Sequence, residues 1–202
     1  AADAAKVPTT FMWSSTFSST NTNTLWGETN TRREHSVYGS FWDKITTDPR
    51  VKWVTTTQKG QHGQPPFYRQ LKYVTNADDI PLAHGAEMRV LQAEAALRKG
   101  DYAGAQTFLN QARSKWSMAA LTLPTNPTDA WTTLRYERYA TMWLEGRKLW
   151  DWRRGIVEGA PMKDSPAEGR DLCFPISQGE ARYNPNIKVG AGGQWGGCPT
   201  CG

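Results

Sequence analysis

Two glutamates in one charged and aromatic stretch are the side chains of this sequence best suited to catalysis. Glu137 and Glu145 both lie within residues 134–154, whose spacing predicts a helix. Two helical turns separate them, roughly 12 Å along the axis. Carboxylate pairs that hydrolyse glycosides stand about 5–9.5 Å apart. The spacing therefore favours a structural role, and a hydrolase that uses both glutamates is the weaker alternative.

The same stretch carries charge on every face of the predicted helix. A surface helix normally keeps its charges on one solvated face, whereas Arg138 shares a stripe with Leu134 and Met142. Some of these charges are therefore expected to be buried. Removing one partner of a buried ion pair costs about 3–5 kcal/mol, so buried charges should be paired. The predicted structural ionic network consists of Glu137, Arg138, Glu145, Arg147 and Asp151.

Metal, redox and cofactor chemistry have little support in the sequence. His35, His62 and His84 lie far apart without neighbours at ligand spacing, so no metal site is predicted. Cys198 and Cys201 form a C-x-x-C pair. A local disulfide in an oxidising compartment is the favoured interpretation, and a metal or redox role is the alternative. Phosphate-loop, dinucleotide and nucleophile-elbow patterns do not occur in the sequence, so we expect neither a cofactor nor an enzyme.

Four of the ten tryptophans lie in the loop-rich first part of the chain. Residues 7–27 carry no charge and are rich in Thr, Ser and Asn. Such side chains compete for helix hydrogen bonds, so an ordered loop or short strands are expected there. Aromatic rings beside hydroxyls and amides suit carbohydrate or protein partners, although Trp also anchors cores and interfaces. The candidate ligand or partner contacts are Trp13, Trp26, Trp42 and Trp53.

Two helices joined by a tight turn are the clearest predicted elements. Apolar spacing places them at residues 84–99 and 102–116, with Gly100 ending the first and Asp101 capping the second. Small residues along both helices allow close approach, which predicts a TPR-like helical hairpin. A single unit of this kind cannot bury its own face. The predicted inner stripes are Met88, Leu91 and Ala95 in the first helix and Ala105, Leu109, Ala112 and Trp116 in the second.

A third helix and two strands complete the expected fold. Asn126 as N-cap and Pro127 at the first helical position start a helix that is expected to run to about Trp152. β-branched and aromatic residues predict strands at residues 51–57 and 67–74. The predicted fold class is therefore mainly α. It combines a helical hairpin and a long helix with extensive irregular loops and a few short strands.

Composition narrows the class of partner. The chain has 202 residues and a net charge of +5 at pH 7. Its basic residues are spread out, whereas nucleic-acid binding usually needs a concentrated patch or a known module. We therefore expect no nucleic-acid partner, and an acidic protein or membrane surface is more plausible. No apolar run approaches the roughly 20 residues that span a bilayer. The small residues 1–5 resemble the surroundings of a cleavage site.

Several blocks of sequence, taken in order, match one known family pattern. Their residues are 87–101 followed by Ala105, Leu109, Asn110 and Arg113; Glu137-Arg138, Glu145-Gly146-Arg147, Trp150-Asp151 and Arg153-Arg154-Gly155; Phe174-Pro-Ile-Ser177 with Glu180 and Asn184-Pro-Asn186; and, more weakly, Asp48-Pro49-Arg50. These blocks resemble the C-terminal half of the SusD/RagB family of nutrient-binding outer-membrane lipoproteins. The resemblance covers roughly residues 80–187.

The resemblance implies a non-enzymatic, extracytoplasmic protein of the periplasm or outer-membrane surface. Such a protein would hold a glycan or another nutrient and partner a TonB-dependent transporter. Because only half of a family domain is matched, we expect either a fragment or a half that is used alone. In the second case, a structural subunit of a larger membrane-protein complex is the alternative function. The expected organisation is an aromatic loop-rich segment at residues 1–80, a helical region at 81–187 and a Gly-rich tail at 188–202.

Overall fold

The computed structural model describes residues 6–61, 63, 65–148, 150, 151 and 183. The chain divides into two compact units, Ala1–Lys148 and Leu149–Gly202. Trp150, Asp151 and Tyr183 are the described residues of the second unit, and all three have helical backbone. The elements that can be placed are therefore those of the first unit.

The described part of the chain is a mixed α/β structure with four helices and two small antiparallel sheets. In chain order the elements are β1 (Met12–Ser15), α1 (Thr24–Trp26), β2 (Trp53–Lys59), β3 (Pro66–Gln70), β4 (Ile80–His84), α2 (Gly85–Arg98), α3 (Tyr102–Ser114) and α4 (Pro127–Thr141). A π-helical turn at Gly27–Thr31 continues α1, and a 3₁₀ turn spans Phe41–Lys44. The fold is thus less helical than the predicted mainly α class. No helix in these residues has both the length and the apolarity needed to cross a membrane.

The main apolar core lies among α2, α3 and α4. It is built largely from alanine, and small side chains at a contact allow helix axes to come close. The buried residues are Ala86, Val90, Ala93, Ala96 and Leu97 of α2, Ala105, Leu109 and Ala112 of α3, Ala130 and Leu134 of α4, and Leu123 from the connection before α4.

The predicted inner stripe agrees with the structure in one of the two helices and not in the other. In α3 the stripe is confirmed, since its apolar members are buried and Trp116 packs partly buried against them. In α2 the predicted stripe is wrong, because Met88, Leu91 and Ala95 are only half-buried. Most of the α2 surface is covered, including the charged side chain of Glu94. Apolar spacing alone therefore does not identify which face of α2 meets the core.

Side-chain caps fix the starts of the three longer helices. Asp101 accepts a backbone N–H from the residue three positions on at 2.8 Å, and Asn126 does so at 2.9 Å. Both caps were predicted, and both are confirmed. His84 caps α2 in the same way through its ring nitrogen Nδ1 at 3.1 Å. Histidine is not among the favoured capping residues, so this cap was not predicted.

α4 ends at Thr141, so the prediction of one helix running to about Trp152 is wrong. Leu144 and Gly146 have φ values of 58° and 74°. This left-handed backbone cannot continue a right-handed helix. Helical backbone returns at Lys148. The interruption falls in the middle of the stretch whose charge pattern predicted a continuous helix.

Each sheet contains two antiparallel strands. β1 pairs with β4, and β2 pairs with β3. The predictions of strands at residues 51–57 and 67–74 are confirmed with shifted ends, and β1 lies in the segment expected to hold a loop or short strands. β4 was not predicted, because its short sequence becomes a strand only through its pairing with β1.

The segment before β1 crosses the start of α2 at Gly85. The N–H of Gly85 donates to the carbonyl of Phe11 at 2.9 Å. A Cβ atom at Gly85 would lie 1.9 Å from the carbonyl oxygen of Pro8, so a glycine is required for this approach. Arg89 of α2 donates to the carbonyl of Val7. These contacts fix the N-terminal segment to α2.

A second apolar cluster is rich in aromatic rings and links residues before 80 to α4. We call it the aromatic cluster. The rings of Trp53 and Tyr68 are stacked with centroids 5.2 Å apart, and the ring of Trp42 lies 5.8 Å from that of Tyr136. Its buried members are Val37, Trp42, Val51, Ala140 and Trp143.

Candidate functional site

The charges predicted to form one ionic network lie in several places. Glu137 and Arg138 are in α4, Glu145 and Arg147 follow the end of that helix, and Asp151 is a buried residue of the second unit. Each of the two glutamates lies at the centre of its own group of side chains. We call these the Glu137 cluster (Asp48, Arg50, Arg113, Tyr136 and Glu137) and the Glu145 cluster (Lys72, Tyr73, His84 and Glu145).

The Glu137 cluster joins three remote parts of the chain through two arginines. Arg50 lies 2.7 Å from Asp48 and 2.6 Å from Glu137. Arg113 of α3 binds the other carboxylate oxygen of Glu137 at 2.5 Å. The side chains of Arg50 and Glu137 are 1% and 4% exposed. Charge-assisted hydrogen bonds from a planar guanidinium impose a specific geometry, so this cluster fixes the loop at residues 48–50 against α3 and α4.

Arginine keeps the carboxylate of Asp48 ionised although burial opposes its charge. Burial would raise the pKa of Asp48, but hydrogen bonds from Arg50 outweigh it and lower that pKa. The hydroxyl of Tyr136 donates to Asp48 at 2.9 Å. Burial and this hydrogen bond raise the pKa of Tyr136 to about 12. At neutral pH, Asp48 is therefore charged and Tyr136 is neutral.

The Glu145 cluster lies at the turn that ends α4. One carboxylate oxygen of Glu145 accepts a hydrogen bond from Lys72 Nζ at 2.6 Å, and the other lies 3.2 Å from His84 Nε2. Lys72 also donates to the carbonyl of Trp143 at 2.5 Å. The cluster thus connects residues that follow β3, end β4 and follow α4.

The turn itself is strained and is held by side chains from elsewhere. A left-handed backbone conformation costs a non-glycine residue roughly 1–2 kcal/mol, and Leu144 adopts it. The hydroxyl of Tyr73 donates to the carbonyl of Leu144 at 3.2 Å. Together with Lys72, Tyr73 binds the carbonyls that the interrupted helix leaves free. These contacts explain how the interruption is stabilised.

Burial affects the pKa of every member of this cluster for which a shift is resolved. It would raise the pKa of Glu145, but the hydrogen bond with His84 and the charge of Lys72 outweigh it and lower that pKa. Burial lowers the pKa of Lys72, and Glu145 only partly opposes this effect. Burial and the nearby charge of Glu145 raise the pKa of Tyr73. Glu145 is therefore ionised at neutral pH.

Arg138 and Arg147 each pair with an acidic residue of α2. Arg138 lies 3.8 Å from Glu94, and Arg147 lies 3.4 Å from Glu87. Arg147 also donates to the carbonyl of Leu82 in β4. These pairs attach the region around the end of α4 to α2 at two further points.

The two glutamates do not share one site. Each carboxylate is at most 4% exposed and is bound by basic side chains. A general acid or base must come within hydrogen-bond reach of a substrate, whereas these oxygens are occupied by protein donors. The arrangement is suited to holding remote segments together. Among the described residues, no group of three or more His, Cys, Asp or Glu side chains is placed to hold a metal ion.

The four candidate tryptophans differ in exposure. Trp42 is 7% exposed within the aromatic cluster. Trp26 and Trp53 are half-buried, and each donates its indole N–H to a backbone carbonyl at 3.0 Å. Trp13 is 62% exposed on β1. Ligand contact stays a prediction for all four, and Trp13 offers the largest free ring surface among them.

Trp13 lies in an exposed apolar surface on the sheet of β1 and β4. Phe11, Met12 and Leu82 are 44%, 46% and 41% exposed. Antiparallel pairing places Trp13 opposite Ala83, next to Leu82. We call Phe11, Met12, Trp13 and Leu82 the β1 surface. Neighbouring residues of a strand point to opposite faces of a sheet, so Met12 and Trp13 expose apolar area on both faces, and exposed apolar residues often mark a binding site on a protein.

Sequence reasoning missed most partners of the two glutamates. Arg50 and Arg113 belong to blocks of the family resemblance, but nothing in the sequence indicates that they meet. Lys72 lies in a predicted strand with no signal of its own. His84 was predicted as the first residue of a helix, and because histidine is not a favoured N-cap residue, its role as a cap had no local signal.

Some predictions lie outside the described residues. They include the disulfide between Cys198 and Cys201, the resemblance residues Arg153-Arg154-Gly155 and 174–186, and the Gly-rich tail at residues 188–202.

The chain matches no protein-family model, no curated protein and no solved structure. The resemblance to the SusD/RagB family therefore rests on the quoted residues.

Proposed function

We propose that this chain is a non-enzymatic SusD/RagB-like binding protein of the periplasm or outer-membrane surface. It holds a glycan or another nutrient and partners a TonB-dependent transporter. The family part of the proposal is supported by the meeting of Arg50, Arg113 and Glu137. These residues come from three separate blocks of the resemblance, and a shared structural role would explain why the blocks occur together.

The exposure of Trp13 is the main observation that supports the proposed binding function. An indole ring that is 62% exposed on a strand is available to stack on a ligand. Ser14 and Ser15 follow it on β1, and residues 7–27 contain no charge. Aromatic rings combine a large apolar face with low conformational freedom, while neighbouring hydroxyls supply hydrogen bonds. This chemistry suits a neutral, hydroxyl-rich ligand such as an oligosaccharide.

The test is calorimetric titration of the purified chain with a panel of neutral oligosaccharides and peptides. We expect at least one oligosaccharide to bind, and Trp13→Ala to weaken that binding at least about tenfold, which corresponds to 1.4 kcal/mol. Trp150→Ala is the matched control, because Trp150 is also 62% exposed and should not affect affinity. Absence of binding across the panel, or an equal loss in both variants, would contradict the proposal.

The second candidate function is a structural subunit of a larger membrane-protein complex. The observation that favours it is the β1 surface, since exposed apolar residues are commonly covered by a protein partner. Size-exclusion chromatography and hydrogen exchange distinguish the two functions. A structural subunit should show fast exchange over residues 6–80 when isolated, and slow exchange within its complex. A well-protected monomer that binds an oligosaccharide would rule this function out.

A further inference from the structure

His84 occupies a position where both of its ring nitrogens are used. Its Nδ1 accepts the backbone N–H of Glu87 at 3.1 Å and so caps α2. Its Nε2 lies 3.2 Å from a carboxylate oxygen of Glu145. The imidazole is 2% exposed, so water has little access to either nitrogen. The ring therefore joins the start of α2 directly to the turn that ends α4.

These two partners define the protonation state of the ring. Nδ1 must be unprotonated to accept the N–H of Glu87, and Nε2 must carry a proton to donate to the carboxylate of Glu145. A neutral histidine has one nitrogen of each kind. Both contacts are satisfied by the neutral form with the proton on Nε2.

We propose that His84 is a proton-sensitive connection, in which proton uptake by Nδ1 breaks the cap of α2 and releases the start of that helix. The proton comes from solvent and forms a new N–H bond at Nδ1. The hydrogen bond from Glu87 to Nδ1 is lost, because two N–H groups would then face each other. The contact between Nε2 and Glu145 remains. The inference does not depend on the proposed binding function.

Two carboxylates lie close to the ring, those of Glu145 and Glu87, but each already has a basic partner. Lys72 already balances Glu145 at 2.6 Å, and Arg147 pairs with Glu87 at 3.4 Å. Lys115 adds further positive potential near Glu145, and Tyr73 is neutral. The first turn of a helix carries a partial positive charge. An imidazolium at the α2 start therefore meets an unpaired N–H and the unfavourable end of the helix dipole.

The consequence extends from α2 to the N-terminal segment. His84 is the last residue of β4 and pairs with Met12 of β1. Gly85, the first residue of α2, is hydrogen-bonded to Phe11. If the start of α2 separates from the ring, these backbone contacts lose their support. Acid is thus expected to loosen the start of α2 and the adjoining end of β1, while the core among α2, α3 and α4 stays intact.

The experiment is an NMR titration of the wild-type chain from pH 8 to pH 5. The pKa of Glu145 is lowered from an ordinary value of 4.5, so its protonation lies below this range. At pH 8 the ring nitrogens should report the form with the proton on Nε2. As His84 takes up its second proton, the exchange protection of the Glu87 amide, corrected for the intrinsic pH dependence of exchange, should fall at least about tenfold. The amide shift of Glu87 should change with the same midpoint.

The matched variant is His84→Asn. Asparagine keeps a side-chain acceptor at the N-cap but does not titrate. We expect the protection of the Glu87 amide in this variant to stay constant from pH 8 to pH 5. The proposal is overturned if the wild-type ring carries its proton on Nδ1 at pH 8. It is also overturned if His84 does not titrate before the whole chain unfolds, or if Glu87 does not respond to its titration. The wild-type measurements decide the question even if the variant fails to fold.

Discussion

The Glu137 and Glu145 clusters both bury a carboxylate between basic groups, but they use different groups. Glu137 is held by Arg50 and Arg113, whereas Glu145 is held by Lys72 and His84. Arginine is always charged and forms hydrogen bonds in a fixed planar geometry. Lysine and histidine change protonation more readily. The basic groups of the first cluster therefore keep their charge throughout the physiological pH range, whereas the basic groups of the second cluster are of types that can lose or gain a proton.

The largest expected effect comes from removing the charge of Glu137. Glu137→Gln leaves Arg50 and Arg113 beside an uncharged group, and breaking a buried pair costs about 3–5 kcal/mol. The free energy of unfolding in urea, followed by tryptophan fluorescence, measures this loss. Glu28→Gln is the control, because the pair of Glu28 with Arg32 lies on the surface and should contribute little. Equal losses in both variants would show that the buried cluster adds nothing to stability.

A smaller loss of stability is expected when the charge of Glu145 is removed from the Glu145 cluster. Glu145→Gln should reduce the free energy of unfolding by about 1–3 kcal/mol, because Lys72 is 20% exposed and can turn toward water. Amide exchange at residues 143–146 should become faster, since the turn loses a contact that holds it. A double-mutant cycle with Lys72→Met isolates the pair. If Glu145→Gln costs as much as Glu137→Gln, the proposed difference between the clusters is wrong.

Acid should weaken both clusters through their carboxylates. The pKa values of Asp48 and Glu145 are lowered from 3.8 and 4.5, so the unfolded chain takes up protons before the folded chain does. Their contribution is complete above those ordinary values and is lost as the pH falls through the lowered ones. Unfolding free energies between pH 7 and pH 2 should show this decline. Glu145→Gln should make this fall of the unfolding free energy with pH shallower. An unchanged slope would contradict the lowered pKa of Glu145.

The smallest effects on stability are expected from removing one tyrosine hydroxyl in each cluster. Tyr73→Phe and Tyr136→Phe each remove one hydrogen bond, worth about 0.5–1.5 kcal/mol. The loss should be greater for Tyr73, which is 1% exposed and leaves a turn carbonyl without its donor. Asp48 retains its bonds to Arg50 when the hydroxyl of Tyr136 is absent. Thermal unfolding of the two variants measures the difference, and a greater loss for Tyr136 would reverse the expected order.

Local signals in the sequence predicted the features that depend on neighbouring residues. Asp101 and the Asn126-Pro127 pair start helices through contacts within one turn, and Gly100 at a φ of 75° follows the end of α2. The strands before and after residue 60 were also evident from β-branched and aromatic residues. Each of these features is decided by a few adjacent side chains.

The end of α4 could not be predicted, because its cause is remote in sequence. The side chains that bind the turn come from Lys72, Tyr73 and His84, which lie 61 to 73 positions before their partners. Charge on every face of a helix is a signal of burial, and Glu137 and Arg138 are 3% and 6% exposed. That signal contains no information about which residue pairs with which. In the described contacts, Glu137 and Glu145 bind different basic groups, and Arg138 and Arg147 each lie near a glutamate of α2.

The stacking of Trp53 on Tyr68 gives the protein an internal optical probe. The two rings are nearly parallel, at an angle of 1°, and the indole N–H of Trp53 is bound to the carbonyl of Ile45. Rings fixed in this way contribute to the near-ultraviolet circular dichroism, which is lost when side-chain packing becomes fluid. The contribution of this pair arises from β2 and β3 and not from the start of α2. A loss of this contribution would therefore indicate that the packing of β2 and β3 has changed, and not only the region around His84.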